Sequence, residues 1–222
     1  MNELVTKGIG HTEFKETEIG KLPREWSIEH IGTLCDLKAG GTPSTAKTEY
    51  WSGGKIPWLS SSEVHKKRIY YSDGFITDLG LKESSAKLFP PKTVLVALAG
   101  QGKTRGTVAI TEISATTNQS IAGLITKTKF LSPDYLFQNL DARYLELRYV
   151  SGGAGRAGLN LEILSNLLVP IPPLDEQQKI VQIAYDFDRR IKFVVDQLTQ
   201  TKLLKKSLMQ DLLTGKVRVK VN

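Results

Sequence analysis

The chain has 222 residues, of which 40% are hydrophobic and 24% charged, and its formal net charge is +7. This length suits one fair-sized domain with an appendage, or two small domains. No run approaches the roughly 18 apolar residues of a membrane span, and the N-terminus lacks the layout of a signal peptide. Cys35 is the only cysteine, which excludes an internal disulfide and predicts a reducing cytoplasm. The three histidines have no cysteine partners at metal-ligand spacing, so we expect no metal site.

The positive charge favours a polyanionic partner such as nucleic acid, although an ordinary basic soluble protein also has this balance. The excess is shared between two parts of the chain. Residues 1–173 hold 20 basic and 17 acidic residues, and residues 174–222 hold 10 and 6. Neither part therefore accounts for the charge alone.

Residues 1–173 are rich in Gly, Pro, Ser, Thr and short apolar runs between turn signals. The predicted strands are 56–59, 93–98, 107–110 and 122–126. A helix is predicted over 133–145, with Ser132 as its cap and Pro133 at its first position, and a second short helix over 159–168. This pattern predicts a mixed α+β globular domain with several long loops.

The stretch Leu95–Thr104 (LVALAGQGKT) has the outline of a phosphate-binding loop, in which backbone N–H groups and a lysine hold a nucleotide. Such a loop requires a helix immediately after it. Here the next residues are Arg105-Gly-Thr-Val-Ala-Ile110, and Gly106 and the β-branched run favour a strand. We therefore predict a hairpin with a basic, Gly-rich tip, whose donors suit DNA phosphates and base edges.

The composition changes at Val169-Pro-Ile-Pro-Pro173, and from Asp175 to Thr214 there is no glycine or proline. This predicts one helix about 60 Å long. Apolar residues recur at alternating steps of four and three, which is typical of a coiled-coil seam, and the register weakens at Thr201 and Lys205 before it resumes. The predicted seam residues are Ile180, Ala184, Phe187, Ile191, Val194, Leu198, Leu208 and Leu212.

The globular domain formed by residues 1–173 is too small to cover the whole apolar seam of this helix. Part of the seam is therefore expected to face another helix. A second copy of the chain would supply that helix, and the alternative is a helix that lies across its own domain. After Gly215, residues 216–221 alternate like a strand. The predicted domains are 1–173 and 174–222.

Several segments, in order, resemble the specificity (S) subunit of type I restriction–modification enzymes. The matching segments are Phe14–Trp26 (FKETEIGKLPREW), Gly40–Ser44 (GGTPS) with Tyr50–Trp58 (YWSGGKIPW), Ala99–Gly106, Asn118-Gln119, Pro170–Ile180 (PIPPLDEQQKI) and Leu213–Lys216. Each segment alone is weak evidence for the family. The ordered set covers nearly the whole chain and is specific for the family.

The resemblance implies a non-catalytic DNA-targeting subunit with a target-recognition domain followed by a long helix. Most members of the family carry two such units in one chain, with the two helices antiparallel. This chain resembles a half-sized form, or one half of a longer subunit. Two copies would restore the helix pair, so a homodimer is expected to read an interrupted palindrome. The implied partners are double-stranded DNA, a second copy, methyltransferase (M) subunits and restriction/translocase (R) subunits, with no membrane. No cofactor is expected in this subunit, because S-adenosylmethionine and ATP would bind the partners.

The candidate DNA-binding residues are basic or amide side chains in predicted loops: Lys66, Lys67, Arg68, Gln101, Lys103, Thr104, Arg105 and Arg156. Arginine and glutamine can read bases bidentately, whereas lysine mostly positions the protein on phosphates. For each basic residue the alternative is a solvated surface charge. Trp26, Trp51 and Trp58 are interpreted as core residues rather than base-stacking platforms. Two other functions stay open: a nucleotide hydrolase that uses residues 100–104, and a helix-mediated assembly protein with no DNA role.

Overall fold

A computed structural model describes residues 2–100, 103–150 and 158–217. The chain forms two compact units, Met1–Val181 and Gln182–Asn222. The α-helices are α1 (Asn2–Lys7), α2 (Ile31–Leu34), α3 (Asp78–Lys82), α4 (Pro133–Ala142), α5 (Tyr144–Val150), α6 (Leu161–Ser165) and α7 (Leu174–Leu213). The strands are β1 (Phe14–Thr17), β2 (Gly20–Pro23), β3 (Ser27–His30), β4 (Cys35–Ala39), β5 (Ile56–Leu59), β6 (Arg68–Ile69), β7 (Gly74–Ile76), β8 (Val94–Ala97), β9 (Val108–Thr111), β10 (Thr116–Thr117), β11 (Ile121–Thr126) and β12 (Leu168–Ile171).

A five-stranded sheet with the order β4-β11-β8-β9-β6 is the centre of the first unit. Three of its four strand pairings are antiparallel, and the edge strand β6 runs parallel to its neighbour β9. Smaller sheets have the orders β10-β5-β7, β12-β3 and β1-β2. The architecture is mixed α+β, as the sequence predicts.

Strand β8 is buried on both faces because its side chains enter two different apolar clusters. Val94 and Val96 lie in the larger cluster, which includes α4, while Leu95 and Ala97 lie in the smaller one. Strand β9 behaves in the same way, and all four of its residues are buried. Successive side chains of a strand point to opposite faces of the sheet, and here both faces are covered by apolar clusters. These two strands are therefore recognised in the sequence by a continuous apolar run rather than by alternating apolar and polar residues.

The predicted strands and hairpin are confirmed. Strand β5 has the predicted bounds, and β8, β9 and β11 each agree with prediction to within one residue at either end. The helix predicted over 133–145 ends instead at Ala142, and α5 begins at Tyr144. Ser132 is the N-cap residue of α4, yet its side chain makes no capping hydrogen bond. Of the strand predicted over 216–221, residues 218–221 lie outside the described residues.

The three tryptophans have structural contacts. Trp26 is fully buried, and its indole N–H donates to the carboxylate of Glu176. Trp51 and Trp58 are half-buried and meet edge to face, with ring centroids 5.1 Å apart. Their indole N–H groups donate to backbone carbonyls. These contacts agree with the interpretation of the tryptophans as packed residues.

Helix α7 spans 40 residues, which confirms the predicted long helix. The first turns of α7 belong to the first unit, because Glu176, Gln177 and Ile180 are buried there. For this reason the first compact unit ends at Val181, seven residues after the helix begins at Leu174. The helix ends before Gly215, whose φ of +71° is the left-handed conformation common just after a helix.

The carboxylate of Glu176 binds the N-terminal segment of the chain. Oε1 accepts a hydrogen bond from the Ile9 N–H at 2.9 Å and lies 2.8 Å from Nε2 of His11. Oε2 accepts from the Trp26 indole at 2.9 Å. Gly8 lies against the same group, and a Cβ there would come within 2.5 Å of the carboxylate. One buried side chain of α7 therefore joins the lead-in segment to the helix.

The amide of the next residue, Gln177, satisfies three backbone groups and is itself fully buried. Its oxygen accepts from the Ser132 N–H, and its nitrogen donates to the carbonyls of Phe130 and Pro172. Together, Glu176 and Gln177 attach the start of α7 to two separate loops of the first unit. This explains in physical terms why a Glu-Gln pair stands in the first turn.

Candidate nucleic-acid interface

Three loops of the first unit lie side by side at one edge of the five-stranded sheet. The register places Ala39 opposite Ala122 and Ala97 opposite Ile121, so β4 and β8 end where β11 begins. Strand β9 begins at the same edge, with Val108 opposite Val96. We call the described residues of the three loops, 40–44, 98–100 with 103–107, and 118–120, the loop edge.

Backbone hydrogen bonds hold the three loops of the loop edge together. The Gly40 and Gly41 N–H groups donate to the carbonyls of Ile121 and Thr117. The Leu98 N–H donates to the Ser120 carbonyl at 2.8 Å. The loops are therefore extensions of the sheet, with positions that the strands set.

The tip between β8 and β9 is closed by the backbone and is followed by a strand. The Gly106 N–H donates to the Ala97 carbonyl, and the Thr107 N–H donates to the Thr104 carbonyl. Gly106 has a φ of +81°, and a Cβ there would approach Arg148 and Leu147 of α5 within 3.2–3.4 Å. No helix begins between Lys103 and β9, so the helix N-terminus of a phosphate-binding loop is missing from this described stretch.

Helix α5 and a short 3₁₀ helix, Ser61–Lys66, support the tip. The Tyr144 hydroxyl donates to the Lys103 carbonyl at 2.9 Å, and an Arg148 guanidinium nitrogen donates to the Arg105 carbonyl at 3.2 Å. The imidazole of His65 lies 3.3 Å from the Thr104 hydroxyl. Because the supports bind backbone groups of Lys103 and Arg105, those two side chains are not used in holding the loop.

Lys103 is exposed, and Thr104 and Arg105 are half-buried. The Nε of Arg105 is buried and has no hydrogen-bond partner within the described ranges. A buried donor without a partner costs about 1–3 kcal/mol, so an acceptor that approaches this guanidinium gains more than it would at a fully solvated one. These three predicted residues lie together on the loop edge.

Two predicted residues, Gln101 and Arg156, lie outside the described residues. The described chain resumes at Gly158, where an added Cβ would lie 3.6 Å from the carbonyl oxygen of Leu98. Gly158 therefore lies beside the loop edge.

Thr42 and Gln119 also lie on the loop edge, although neither was predicted as a site residue. The Thr42 hydroxyl donates to the Gln119 amide oxygen at 2.5 Å, and Gln119 is exposed. Both belong to segments that carry the family resemblance, GGTPS and Asn-Gln. The topology brings these distant segments together, and no local sequence pattern carried that information.

Lys66, Lys67 and Arg68 lie at the end of the 3₁₀ helix and the start of β6, each in an ion pair. Lys66 binds Glu63 and Asp73 at 3.1 and 2.9 Å, and the hydrogen bond with Asp73 raises the pKa of the Lys66 ammonium. Lys67 pairs with Asp141.

Arg68 pairs with Glu112 and Asp134 at 2.6 and 2.7 Å. Burial opposes the Arg68 charge, but these two carboxylates outweigh it and raise the pKa of the guanidinium. Lys92, with a φ of +66°, binds the same two carboxylates. A phosphate at Arg68, as at Lys66 and Lys67, would have to compete with protein carboxylates.

The predicted helix residues fall into two groups. Ile180 is fully buried in the core of the first unit, and Ala184 is only 2% exposed. The other six are exposed by 46–60%: Phe187, Ile191, Val194, Leu198, Leu208 and Leu212. The second unit therefore presents an uncovered apolar stripe that starts at Phe187.

Within the described ranges, no three carboxylate, imidazole or thiol groups are placed so that they could hold a metal ion. The same ranges contain no helix that is long and apolar enough to cross a membrane. Cys35 is buried, and this burial raises the pKa of its thiol to about 12, so it is a poor nucleophile.

Comparison with known proteins agrees with this geometry. A family model described as the type I restriction modification DNA specificity domain matches residues 23–201. The type I restriction enzyme MjaIX specificity subunit of Methanocaldococcus jannaschii is 36% identical over 186 residues, which cover 82% of this chain and 42% of that protein. The EcoR124I/EcoR124II specificity subunit of Escherichia coli is 28% identical, over 79% of this chain and 42% of that protein.

A crystal structure of the HsdS subunit from Thermoanaerobacter tengcongensis has the same fold, with a TM-score of 0.62 at 20% identity over 89% of this chain and 47% of that chain. The chain thus spans about half the length of the relatives that it matches. Because the family model covers most of the sequence and the archaeal relative exceeds 30% identity, the chain belongs to the family of type I restriction–modification DNA specificity proteins.

Proposed function

We propose that the chain is a DNA sequence-specificity component of a type I restriction–modification enzyme. It has no catalytic role of its own and directs methyltransferase and restriction subunits to a DNA target. S-adenosylmethionine and ATP bind those partners. The observation that carries the proposal is the loop edge, where basic, amide and hydroxyl side chains from three separate loops are presented at the ends of paired strands.

The loop edge is the proposed DNA-contacting surface. Lys103 contacts a phosphate, because an exposed ammonium is a sequence-independent anchor. Arg105 and Gln119 approach base edges, since guanidinium and amide groups form the bidentate pairs that discriminate bases by about 1–3 kcal/mol. Gln101 and Arg156 remain predictions of the same kind.

Lys66, Lys67 and Arg68 also stay predictions, with a smaller expected contribution. Each is already paired with a carboxylate, so its charge towards DNA is partly neutralised. Their replacement is expected to change DNA affinity less than replacement of Lys103 does.

The exposed stripe of α7 supports a homodimer. Six apolar side chains at heptad spacing are each about half exposed. Exposure of apolar surface to water costs roughly 25 cal/mol per Å². A second copy would bury them and restore the pair of helices that the resemblance implies. Such a dimer places two recognition units in opposite orientations, so its target is an interrupted palindrome.

The proposal is tested by mapping methylated sites in the genome of a host that expresses the chain with its methyltransferase subunit. A symmetric, gapped motif is expected. The Arg105→Ala variant is expected to lose or relax one position in each half-site, while Lys21→Ala, at an exposed lysine of β2, leaves the motif unchanged. Uniform methylation of all sequences, or an asymmetric motif in the absence of any other specificity protein, contradicts the proposal.

A further inference from the structure

Two side chains of α5, Tyr144 and Arg148, form one continuous chain of hydrogen bonds with the tip between β8 and β9. The Tyr144 hydroxyl donates to the Lys103 carbonyl at 2.9 Å and accepts from a guanidinium nitrogen of Arg148 at 3.2 Å. The same nitrogen donates to the Arg105 carbonyl at 3.2 Å, and it carries two hydrogens, so both of its bonds can form together. One hydroxyl and one guanidinium therefore hold both residues that flank Thr104.

Further hydrogen bonds fix the same peptide units of the tip. The Lys103 carbonyl accepts a second hydrogen bond, from the Thr107 hydroxyl at 2.9 Å. The peptide unit between Arg105 and Gly106 is held at both ends, because its N–H donates to the Ala97 carbonyl at 2.9 Å while its oxygen accepts from the α5 guanidinium. The backbone at both ends of the tip is therefore fixed, and it sets the direction in which the arginine side chain leaves the chain.

Helix α5 is itself attached to the core of the first unit. Leu147 is 1% exposed and lies in the larger apolar cluster. A Cβ at Gly106 would come within 3.4 Å of Leu147 and 3.2 Å of Arg148, so the tip rests directly on the helix. The start of α5 follows Arg143, whose guanidinium donates to the Leu168 carbonyl. The tip is therefore joined, through α5, to buried parts of the fold.

The second support of the tip, from the 3₁₀ helix, acts differently. The imidazole of His65 lies 3.3 Å from the hydroxyl of Thr104, which is a contact with a side chain. Such a contact favours one rotamer of the threonine and leaves the peptide units of the tip unrestrained. Of these two supports, α5 is therefore the one that determines the backbone conformation.

We propose that Tyr144 is a positioning residue for base recognition, whose hydroxyl holds the tip in the conformation that aims the Arg105 guanidinium at its base. This role rests on the proposed function and refines it. A bidentate pair with a base requires both N–H groups to lie along the base edge. A tip with mobile peptide units would present the same side chain in several directions and would discriminate less between bases.

The Tyr144 hydroxyl can be removed without disturbing the packing around it. The ring of Tyr144 is half-buried, and the guanidinium carbon of Arg148 lies 5.5 Å from its centroid, in a cation–π contact. That contact does not involve the hydroxyl. Tyr144→Phe therefore removes the link between the two carbonyl-binding groups while the ring stays in place.

The test compares methylation of short duplexes by the complex of the full chain with its methyltransferase subunit. The duplexes carry the motif found by genome mapping, or that motif with one base pair changed, and the ratio of kcat/KM values gives the discrimination at each position. Arg105→Ala identifies the position that the tip reads. Tyr144→Phe is expected to lower discrimination at that position about fivefold, the effect of one neutral hydrogen bond, and to leave other positions unchanged.

A double variant separates positioning from a purely structural role. If Tyr144 acts through Arg105, Tyr144→Phe in the Arg105→Ala background lowers discrimination no further, because the group that it positions is gone. Additive losses, or an equal loss at every position of the motif, overturn the proposal. The melting temperature of Tyr144→Phe is expected to fall by at most about 4 °C, and a larger fall assigns the hydroxyl to the stability of the fold instead.

Tyr149→Phe is the matched control, because Tyr149 lies on the same helix, is 81% exposed and has no hydrogen-bond partner among the described residues. It should leave discrimination unchanged at every position. Failure of the proposed function gives a different result: methylation without sequence preference, or an unchanged motif with Arg105→Ala, refutes base reading by the tip and the positioning role with it. A loss of discrimination with Arg105→Ala but not with Tyr144→Phe refutes only the positioning role.

Discussion

Gly40 is the point at which the loop edge has the least room for a side chain. A Cβ at this position would lie 2.0 Å from the Thr117 hydroxyl and 2.4 Å from the carbonyl oxygens of Thr117 and Asn118. Two of these three oxygens are backbone atoms, which cannot easily shift. The loop that carries Thr42 therefore depends on the absence of a side chain two residues earlier.

We expect Gly40→Ala to lower the free energy of unfolding by about 1–3 kcal/mol, because the added methyl overpacks against backbone. Urea denaturation followed by circular dichroism measures the change. Gly158→Ala is the control, because the closest contact to its added Cβ is an ordinary 3.6 Å. If the two variants unfold at the same urea concentration, the close approach at Gly40 is not as described.

At the level of single residues, the sequence could predict chemical type but not partners. Lys103, Thr104 and Arg105 were predicted from a Gly-rich turn, and the turn is where the structure places them. The ion pairs of Lys67 and Arg68 join residues up to 74 positions apart, so no local pattern reveals them. The contact between Thr42 and Gln119 was missed for the same reason, since sheet pairing creates it.

The first turn of α7 is the element that joins the helix to the first unit, and Glu176 is its main contact. Its carboxylate is in contact with three donors from the N-terminal segment while only 8% of the residue is exposed. Without this carboxylate the Trp26 indole and the Ile9 N–H would have no acceptor at this position. Helix attachment and the position of the lead-in segment therefore depend on the same group.

Glu176→Ala is expected to destabilise the protein by about 3 kcal/mol, because it leaves buried donors without acceptors. Glu176→Gln should cost less, since one acceptor oxygen remains. Thermal unfolding followed by circular dichroism tests this order. Asp175→Ala is the matched control, because that neighbouring carboxylate is 73% exposed. Equal melting temperatures for Glu176→Ala and Asp175→Ala would show that the buried carboxylate is not important for stability.

At the level of elements, apolar runs and breakers were sufficient for α7 and for β8, β9 and β11, the three inner strands of the central sheet, whereas its two edge strands, β4 and β6, were not predicted. Apolar runs and breakers also failed between α4 and α5. Arg143 stands at that junction, where its guanidinium donates to the Leu168 carbonyl and pairs with Glu146. These contacts favour a break in the helix, although residues 133–150 contain no internal glycine or proline.

For the molecule as a whole, the excess of positive charge predicts that the affinity for DNA depends on salt concentration. Residues 1–173 have an excess of three positive charges, and many of their basic residues are used in internal ion pairs. Only a modest number of phosphate contacts is therefore expected from each copy. Binding should still weaken steeply with salt, because each contact releases counterions.

If each copy makes about three phosphate contacts, raising salt from 50 to 200 mM should weaken DNA binding by the dimer about a thousandfold. Fluorescence anisotropy with a labelled duplex measures this dependence. Lys103→Ala should reduce the slope of log affinity against log salt by about two, because both copies lose one contact. Lys21→Ala should leave the slope unchanged, and an unchanged slope for Lys103→Ala would remove that lysine from the interface.

The two-sided burial of β8 and β9 has an evolutionary consequence. Seven of the eight side chains in these strands belong to one of two apolar clusters, whereas Lys103 and Arg105 at the connecting tip are held through their backbone carbonyls. Substitutions of Lys103 and Arg105 therefore cost little folding free energy, and substitutions one or two residues into either strand cost a great deal. A lineage that carries this scaffold can change the side chains of its proposed DNA-contacting surface through a few substitutions at the tip, while the framework that presents them is inherited intact.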